Sequence, residues 1–358
     1  MRNKLLRLKQ LLLGSFFGFK SALKNLKQFA AIKSVDTFFR SMKAQKSLHA
    51  EPSLVRRPSF IMNTLILFGI MMLYQVMGSL LLLKITAIDL SLLFSLDDQA
   101  RTISLMRIMQ VASQLLLLAL PVLLLAKRHT GGEHLFSAKT LAFLGIRRNG
   151  SQALALWAVL GVFCLQPLMQ TIAELQQLFL WPALGEAGKQ VVENQKAMDR
   201  IIAALAVMRS LPEAVAVVAV LAVTPAMCEE VLFRGYIQEN YRQSIDPRGA
   251  VILTGFVFAV FHLSAANFVP LTILGCYIGY VYLNAGTLFV PFAVHLFNNL
   301  AALALLSMGS GSGSADAGAS FSGVVGFWWW WLVVAGSLGL FFLCMVMFRA
   351  ASFSQRRQ

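Results

Sequence analysis

Apolar stretches close to twenty residues long, separated by short polar segments, make up most of this chain. A helix that crosses a bilayer needs about 20 mostly apolar residues. Eight stretches approach that length: residues 60–83, 103–126, 152–172, 206–232, 249–265, 268–284, 287–308 and 324–348. The first, second and last are unbroken. The four between 206 and 308 carry Pro, Glu, His and Asn, which blurs their ends. This pattern predicts an all-α fold, a polytopic transmembrane helix bundle of about eight spans. Ahead of it, Leu5, Leu8, Leu12, Phe16, Phe19, Leu23 and Leu26 recur every three or four residues. That spacing predicts an amphipathic helix lying in the plane of the interface, or a cytosolic helix packed on the membrane domain. The chain divides into an N-terminal arm (1–58) and a bundle (59–350). Within the bundle, a flexible segment rich in Gly, Ser and Ala (309–323) precedes the last span. Trp328–Trp331 suits an aromatic belt at the outer interface.

Composition agrees with this pattern. Of 358 residues, 58% are apolar and 13% charged. A soluble domain carries about 25% charged residues, so this chain cannot coat a soluble globule. The four cysteines (Cys164, Cys228, Cys276 and Cys344) lie in apolar stretches without metal-type spacing and read as small apolar filler. The net charge is +15. Residues 1–58 hold 13 Lys/Arg against Asp36 and Glu51, which leaves +4 for the rest. Because the arm is also rich in Leu and Phe, its expected partner is an anionic membrane surface rather than nucleic acid. With eight spans, Lys127, Arg128, Lys139, Arg147, Arg148, Arg234, Arg242, Arg248, Arg349, Arg356 and Arg357 fall on the same side as the arm. Asp89, Asp97, Asp98, Glu174, Glu186, Glu193 and Asp199 fall on the other. The positive-inside rule then places both termini in the cytoplasm and the chain in the cytoplasmic membrane of a cell.

Ionisable groups at membrane depth are costly and by default suggest a functional site. Here they gather in three clusters. In Glu229-Glu230-Val231-Leu232-Phe233-Arg234, Glu230 and Arg234 are four apart on one helical face, in the order that favours an ion pair. Glu229 lies about 100° around the helix and is left free to face a cavity; alternatively, both acids sit in water at a helix end. In Phe258-Ala259-Val260-Phe261-His262, the histidine lies about 20 Å along its helix from Arg248, at a depth similar to that of Glu229. In His295-Leu296-Phe297-Asn298-Asn299, His295 and Asn299 share a face and Asn298 points elsewhere. Either histidine alone could be a hydrogen-bonding group that joins helices. Together, a free carboxylate, two imidazoles and a carboxamide suit water-mediated acyl hydrolysis. The carboxylate takes a proton from water, and donors hold the oxyanion that develops. Pro225 and Pro291 each precede a reactive residue by four positions and are expected to kink their helices just below the site.

The three clusters resemble the CPBP family of intramembrane proteases, which includes the type 2 CAAX prenyl endopeptidase and abortive-infection-like proteins. The family pattern is EExxxR, then FxxxH, then HxxxN, on successive membrane helices. Here it falls on Glu229-Glu230-x-x-x-Arg234, Phe258-x-x-x-His262 and His295-x-x-x-Asn299, and the resemblance covers residues 206–307. It implies that Glu229 activates water and that His262 binds that water with it. His295 and Asn299 would form the oxyanion site, and Glu230 and Arg234 would pair to hold the helix geometry. It also leaves the cofactor open between none and zinc. Glu229, His262 and His295 would supply the three protein ligands of a catalytic zinc, but there is no HExxH motif. The substrate would be a membrane-associated protein or peptide, whose identity and prenylation the sequence does not specify.

Two other functions fit the same pattern. A non-proteolytic immunity or partner protein would use the bundle as a binding surface. A proton-coupled transporter would use Glu229, His262 and His295 as a proton relay. The absence of visible internal repeats disfavours the transporter.

Overall fold

The computed structural model describes residues 57–87, 96–147, 151–310 and 323–355. The expected amphipathic helix, the segment carrying Asp89, residues 311–322, Arg148, Arg356 and Arg357 lie outside the described residues. All regular structure among the described residues is helical. Apart from a single 3-10 turn (Val324–Gly326), ten helices follow one another among the described residues: α1 (Phe60–Ala87), α2 (96–130), α3 (Ala138–Phe143), α4 (Gln152–Ala183), α5 (Glu186–Leu205), α6 (Leu211–Ser244), α7 (Pro247–Phe261), α8 (Phe268–Ala285), α9 (Phe289–Ser310) and α10 (Trp328–Gln355). Seven of them, α1, α2, α4, α6, α8, α9 and α10, are long and apolar enough to cross a membrane. The chain is a multi-pass membrane protein. Large apolar side chains cover its outside, among them Phe68 on α1, Leu211 on α6 and Phe342 on α10.

The stretch expected to be a span over 249–265 forms α7, which is apolar but only 15 residues long. At 1.5 Å per residue it reaches about 22 Å, short of a hydrocarbon core of about 30 Å. Asp246 caps its start by accepting from the backbone N–H groups of Arg248 and Gly249, both at 3.0 Å. A six-residue turn then leads into α8, packed along it. Two glycines allow that packing. A Cβ on Gly255 would lie 2.6 Å from the backbone nitrogen of Cys276, and one on Gly275 would lie 2.8 Å from the Gly255 carbonyl oxygen. Close backbone approach at small residues is how membrane helices gain contact where no hydrophobic effect drives them together.

Direct bonds show that several connections share one end of the bundle. Arg57 donates to Asn240 Oδ1 (2.8 Å) and to the Phe143 carbonyl (2.6 Å). The Leu288 N–H donates to the Gly145 carbonyl at 2.9 Å, and the Ser352 hydroxyl to the Asn284 carbonyl at 2.9 Å. The start of α1, the α3–α4 connection and the ends of α6, α8 and α10 therefore lie together. At the opposite end, Arg107 donates to the carbonyls of Leu205 (3.0 Å) and Val207 (2.6 Å) and pairs with Glu213.

The apolar interior forms two principal clusters. One joins α1, α2, α6 and α7 through Leu67, Leu118, Phe233, Tyr236, Phe258 and Phe261. The other joins α4, α8, α9 and α10 through Leu165, Met169, Ile278, Val294 and Phe348. The three motif helices are split between them: α6 and α7 belong to the first and α9 to the second.

Candidate functional site

The helix that carries the two acids is not a uniform α-helix. Ala219–Val223 is a wide turn in which the Thr224 N–H donates to the Ala219 carbonyl, five residues back. Pro225 follows at once. Proline has no N–H for the carbonyl four residues earlier, and its ring crowds that carbonyl. The wider turn removes the clash and gives the adjacent N–H a partner. The same device precedes Pro121 in α2, where Leu120 N–H bonds Leu115, and Pro182 in α4, where Trp181 N–H bonds Gln176. Pro225 thus marks a local widening just before Glu229. Pro291 differs from expectation. It is the third residue of α9, in the first turn, where its missing N–H would have had no helical partner. There is no helix ahead of it to bend.

Past Pro225, Glu229 and Glu230 are both buried, at 5% and 1% exposure. Glu230 Oε1 accepts from Arg234 Nη1 at 2.8 Å, the i,i+4 pair expected from the sequence, here with both side chains shielded from solvent. Arg234 also donates to the Gly275 carbonyl at 3.1 Å, and its guanidinium lies 4.8 Å from the centre of the Phe258 ring. The same Glu230 oxygen lies 2.8 Å from His295 Nδ1. One carboxylate therefore ties α6 to α9 while it neutralises Arg234.

His262 caps the end of α7. Its Nδ1 is 2.7 Å from the Phe258 carbonyl. A carbonyl only accepts, so this nitrogen carries a proton and donates. Phe258 also packs on both imidazoles, with ring centroids 4.6 Å from His262 and 5.7 Å from His295. With each Nδ1 engaged, both Nε2 atoms are turned toward Glu229. His262 Nε2 lies 3.7 Å from Glu229 Oε2, and His295 Nε2 lies 3.9 Å from the same oxygen. That oxygen is buried with no hydrogen-bond partner. The separations exceed a direct hydrogen bond and leave Glu229 Oε2 facing two ring nitrogens at once. His262 is the accessible member, with its side chain 28% exposed.

Asn299 lies one turn beyond His295, and its amide reaches the Ala222 carbonyl in the widened turn of α6 at 3.5 Å. Asn298 points away, accepting from Gln166 of α4 at 2.9 Å. The structure thus brings Glu229, Glu230, Arg234, His262 and His295 into one connected group, with Asn299 beside it on the α6 backbone.

The donor types of Glu229, His262 and His295 suit zinc, which binds nitrogen and oxygen at about 2.0–2.2 Å. As arranged, however, no group of three or more His, Cys, Asp or Glu side chains among the described residues is set to hold a metal ion.

The motifs alone do not reveal the wall contributed by α1 and α2. Tyr74 stacks on Phe261 with centroids 5.2 Å apart, and Gln75 donates to the Phe261 carbonyl at 2.8 Å. Gln114 is 3% exposed and opens a wide turn that packs on Thr224–Glu230. Its Oε1 has no partner. The available signal was a set of glutamines inside otherwise apolar helices.

Residues 211–301 match the family model of the type II CAAX prenyl endopeptidase Rce1-like proteins. The match spans α6 to α9 and contains all three motifs, and it supports the family assignment drawn from them. No curated protein and no solved structure matches the chain.

Proposed function

We propose, from the family match of residues 211–301 to the Rce1-like CAAX prenyl endopeptidases, that this membrane protein is an intramembrane endopeptidase that cleaves a membrane-associated protein or peptide by Glu-activated water. One observation carries the reading: a partnerless, buried Glu229 oxygen faces His262 Nε2 at 3.7 Å and His295 Nε2 at 3.9 Å. A water between them would donate one hydrogen to Glu229 and the other to the free Nε2 of His262, leaving an oxygen lone pair aimed at a substrate carbonyl.

The oxygen attacks the carbonyl carbon as Glu229 takes the water proton. The carbonyl electrons move onto oxygen and form a tetrahedral intermediate. Glu229 then returns the proton to the amide nitrogen, the C–N bond breaks, and a carboxylic acid and an amine form; the acid then passes its proton to the amine. Asn299 and His295 are the side chains on α9 that would face the oxyanion. To donate to an oxyanion from Nε2 while Nδ1 donates to Glu230, His295 must carry a proton on both ring nitrogens. Glu230 holds the other face of that ring.

The anchoring of both Nδ1 atoms, by a carbonyl and a carboxylate, is also the pattern that orients metal-bound histidines. Zinc bound by Glu229, His262 and His295 would activate the same water as a Lewis acid, and chelation tests that route separately. The basic end of the bundle suits a cytoplasmic location in an anionic membrane.

The test is a comparison of membrane proteomes from cells carrying wild type or Glu229→Gln. The proposal expects at least one peptide bond to be cut in the first and intact in the second. Identical termini in both would overturn it.

A further inference from the structure

Three glutamines outside the motifs converge on the end of α7 and the turn that follows it. Gln75 of α1 donates to the Phe261 carbonyl at 2.8 Å, one of the last carbonyls of α7, which lack helical partners. Gln176 of α4 donates to the Ala266 carbonyl at 3.4 Å. Gln195 of α5 accepts from the Ser264 hydroxyl at 2.9 Å and from Asn267 Nδ2 at 3.1 Å. All three lie outside the family-matched segment 211–301.

The turn needs such support. Leu263, directly after His262, has φ +49°, the single positive-φ non-glycine among the described residues. Residues with a branched side chain rarely adopt that conformation, and it persists only where surrounding structure over-determines it. Leu263 itself is 69% exposed, so its own packing does not hold it. His262 is the more accessible of the two imidazoles around Glu229 Oε2, and its ring is anchored to its own helix through Phe258. Its aim at Glu229 therefore depends on where the end of α7 is held.

We propose that Gln75 and Gln195 are positioning residues that clamp the end of α7 and the strained turn after it, from Phe261 to Asn267, and so aim His262 Nε2 at Glu229. The effect on cleavage rests on the proteolytic reading, whereas the clamp itself does not. The two side chains act in opposite senses: Gln75 must donate, and Gln195 must accept.

Carboxylate substitutions separate those senses. Gln195 Nε2 also donates to Asp199 Oδ1 at 2.7 Å, so the variant that keeps the acceptor is the double substitution Gln195→Glu/Asp199→Asn, in which the amide at 199 donates back to the carboxylate and the clamp is retained; Gln75→Glu removes the donor and loses it. Gln195→Ala and Gln75→Ala each lose it. The first readout, which needs no substrate, is backbone hydrogen exchange over 262–267 in the full-length protein in lipid nanodiscs. Expected is exchange faster by about tenfold or more in Gln195→Ala, Gln75→Ala and Gln75→Glu, and unchanged in Gln195→Glu/Asp199→Asn. The second is cleavage of the substrate found by the Glu229→Gln comparison. Expected is kcat lower by about a hundredfold with KM and Tm unchanged, because a misplaced catalytic group costs rate rather than binding. Should Gln195→Ala fail to fold, the two Gln75 variants carry the test. Unchanged exchange in the alanine variants overturns the clamp. Faster exchange with unchanged kcat overturns its role in aiming His262. Cleavage that persists in Glu229→Gln overturns the proteolytic reading and the aiming role with it, while the exchange result still stands.

Discussion

Glu230 and His295 meet in a 2.8 Å hydrogen bond between carboxylate Oε1 and imidazole Nδ1, across 65 residues of chain. Because the same oxygen also accepts from Arg234, the ion pair and the imidazole are mechanically one unit. Glu230 is thus more than a local partner for Arg234: it fixes which nitrogen of His295 faces Glu229.

Removing either end of the buried pair should therefore damage the fold. Taking away one partner leaves a buried charge uncompensated and costs about 3–5 kcal/mol. Glu230→Ala and Arg234→Ala should give little folded protein and a much lower Tm. Glu229→Gln, which disturbs no hydrogen bond of Glu229 Oε2, should fold with Tm near wild type. Thermal unfolding of purified variants in detergent checks both; a normal Tm for Arg234→Ala would contradict the packing described.

Asn299→Ala should lower kcat by about 10²–10³, the usual loss for one oxyanion donor, with KM little changed. Steady-state kinetics on a cleavable substrate makes the measurement. A change confined to KM would assign Asn299 to substrate binding or helix contact instead.

Chelation addresses the metal question directly. Activity is expected to survive prolonged treatment with a strong zinc chelator, and the purified protein is expected to hold much less than one zinc per chain. Stoichiometric zinc whose removal abolishes cleavage would assign Glu229, His262 and His295 as ligands.

Glu174 on α4 is 7% exposed and neither of its carboxylate oxygens has a partner. An unpaired buried polar group costs about 1–3 kcal/mol or more, so Glu174→Leu should raise Tm while leaving cleavage unchanged. A lower Tm would mean that the carboxylate contributes to stability.

Much of this arrangement was legible in the sequence because membrane helices admit few polar residues. The i,i+4 spacing of Glu230 and Arg234 announced their pair, and the apolar runs announced the bundle. The bond from Glu230 to His295 was not legible, because spacing within a helix says nothing about which neighbour a carboxylate meets across the interior. Pro291 is expected from the sequence to kink its helix because the apolar stretch is taken to begin at 287; α9 begins at Phe289 instead, which leaves the proline in its first turn. The short α7 was read as a full span because the turn after it, Leu263–Asn267, begins with apolar residues that extend the pattern past the true helix end. The glutamines around that turn lacked a motif, and only packing shows that they converge.

The most direct measurement reconstitutes purified wild type and Glu229→Gln in liposomes with the substrate identified by proteomics, and follows the appearance of the new termini. General-base catalysis contributes about 10²–10⁴, so the variant should lose at least a hundredfold in rate while keeping its Tm and its hydrogen-exchange pattern. Cleavage by folded Glu229→Gln within a few-fold of wild type would contradict the account.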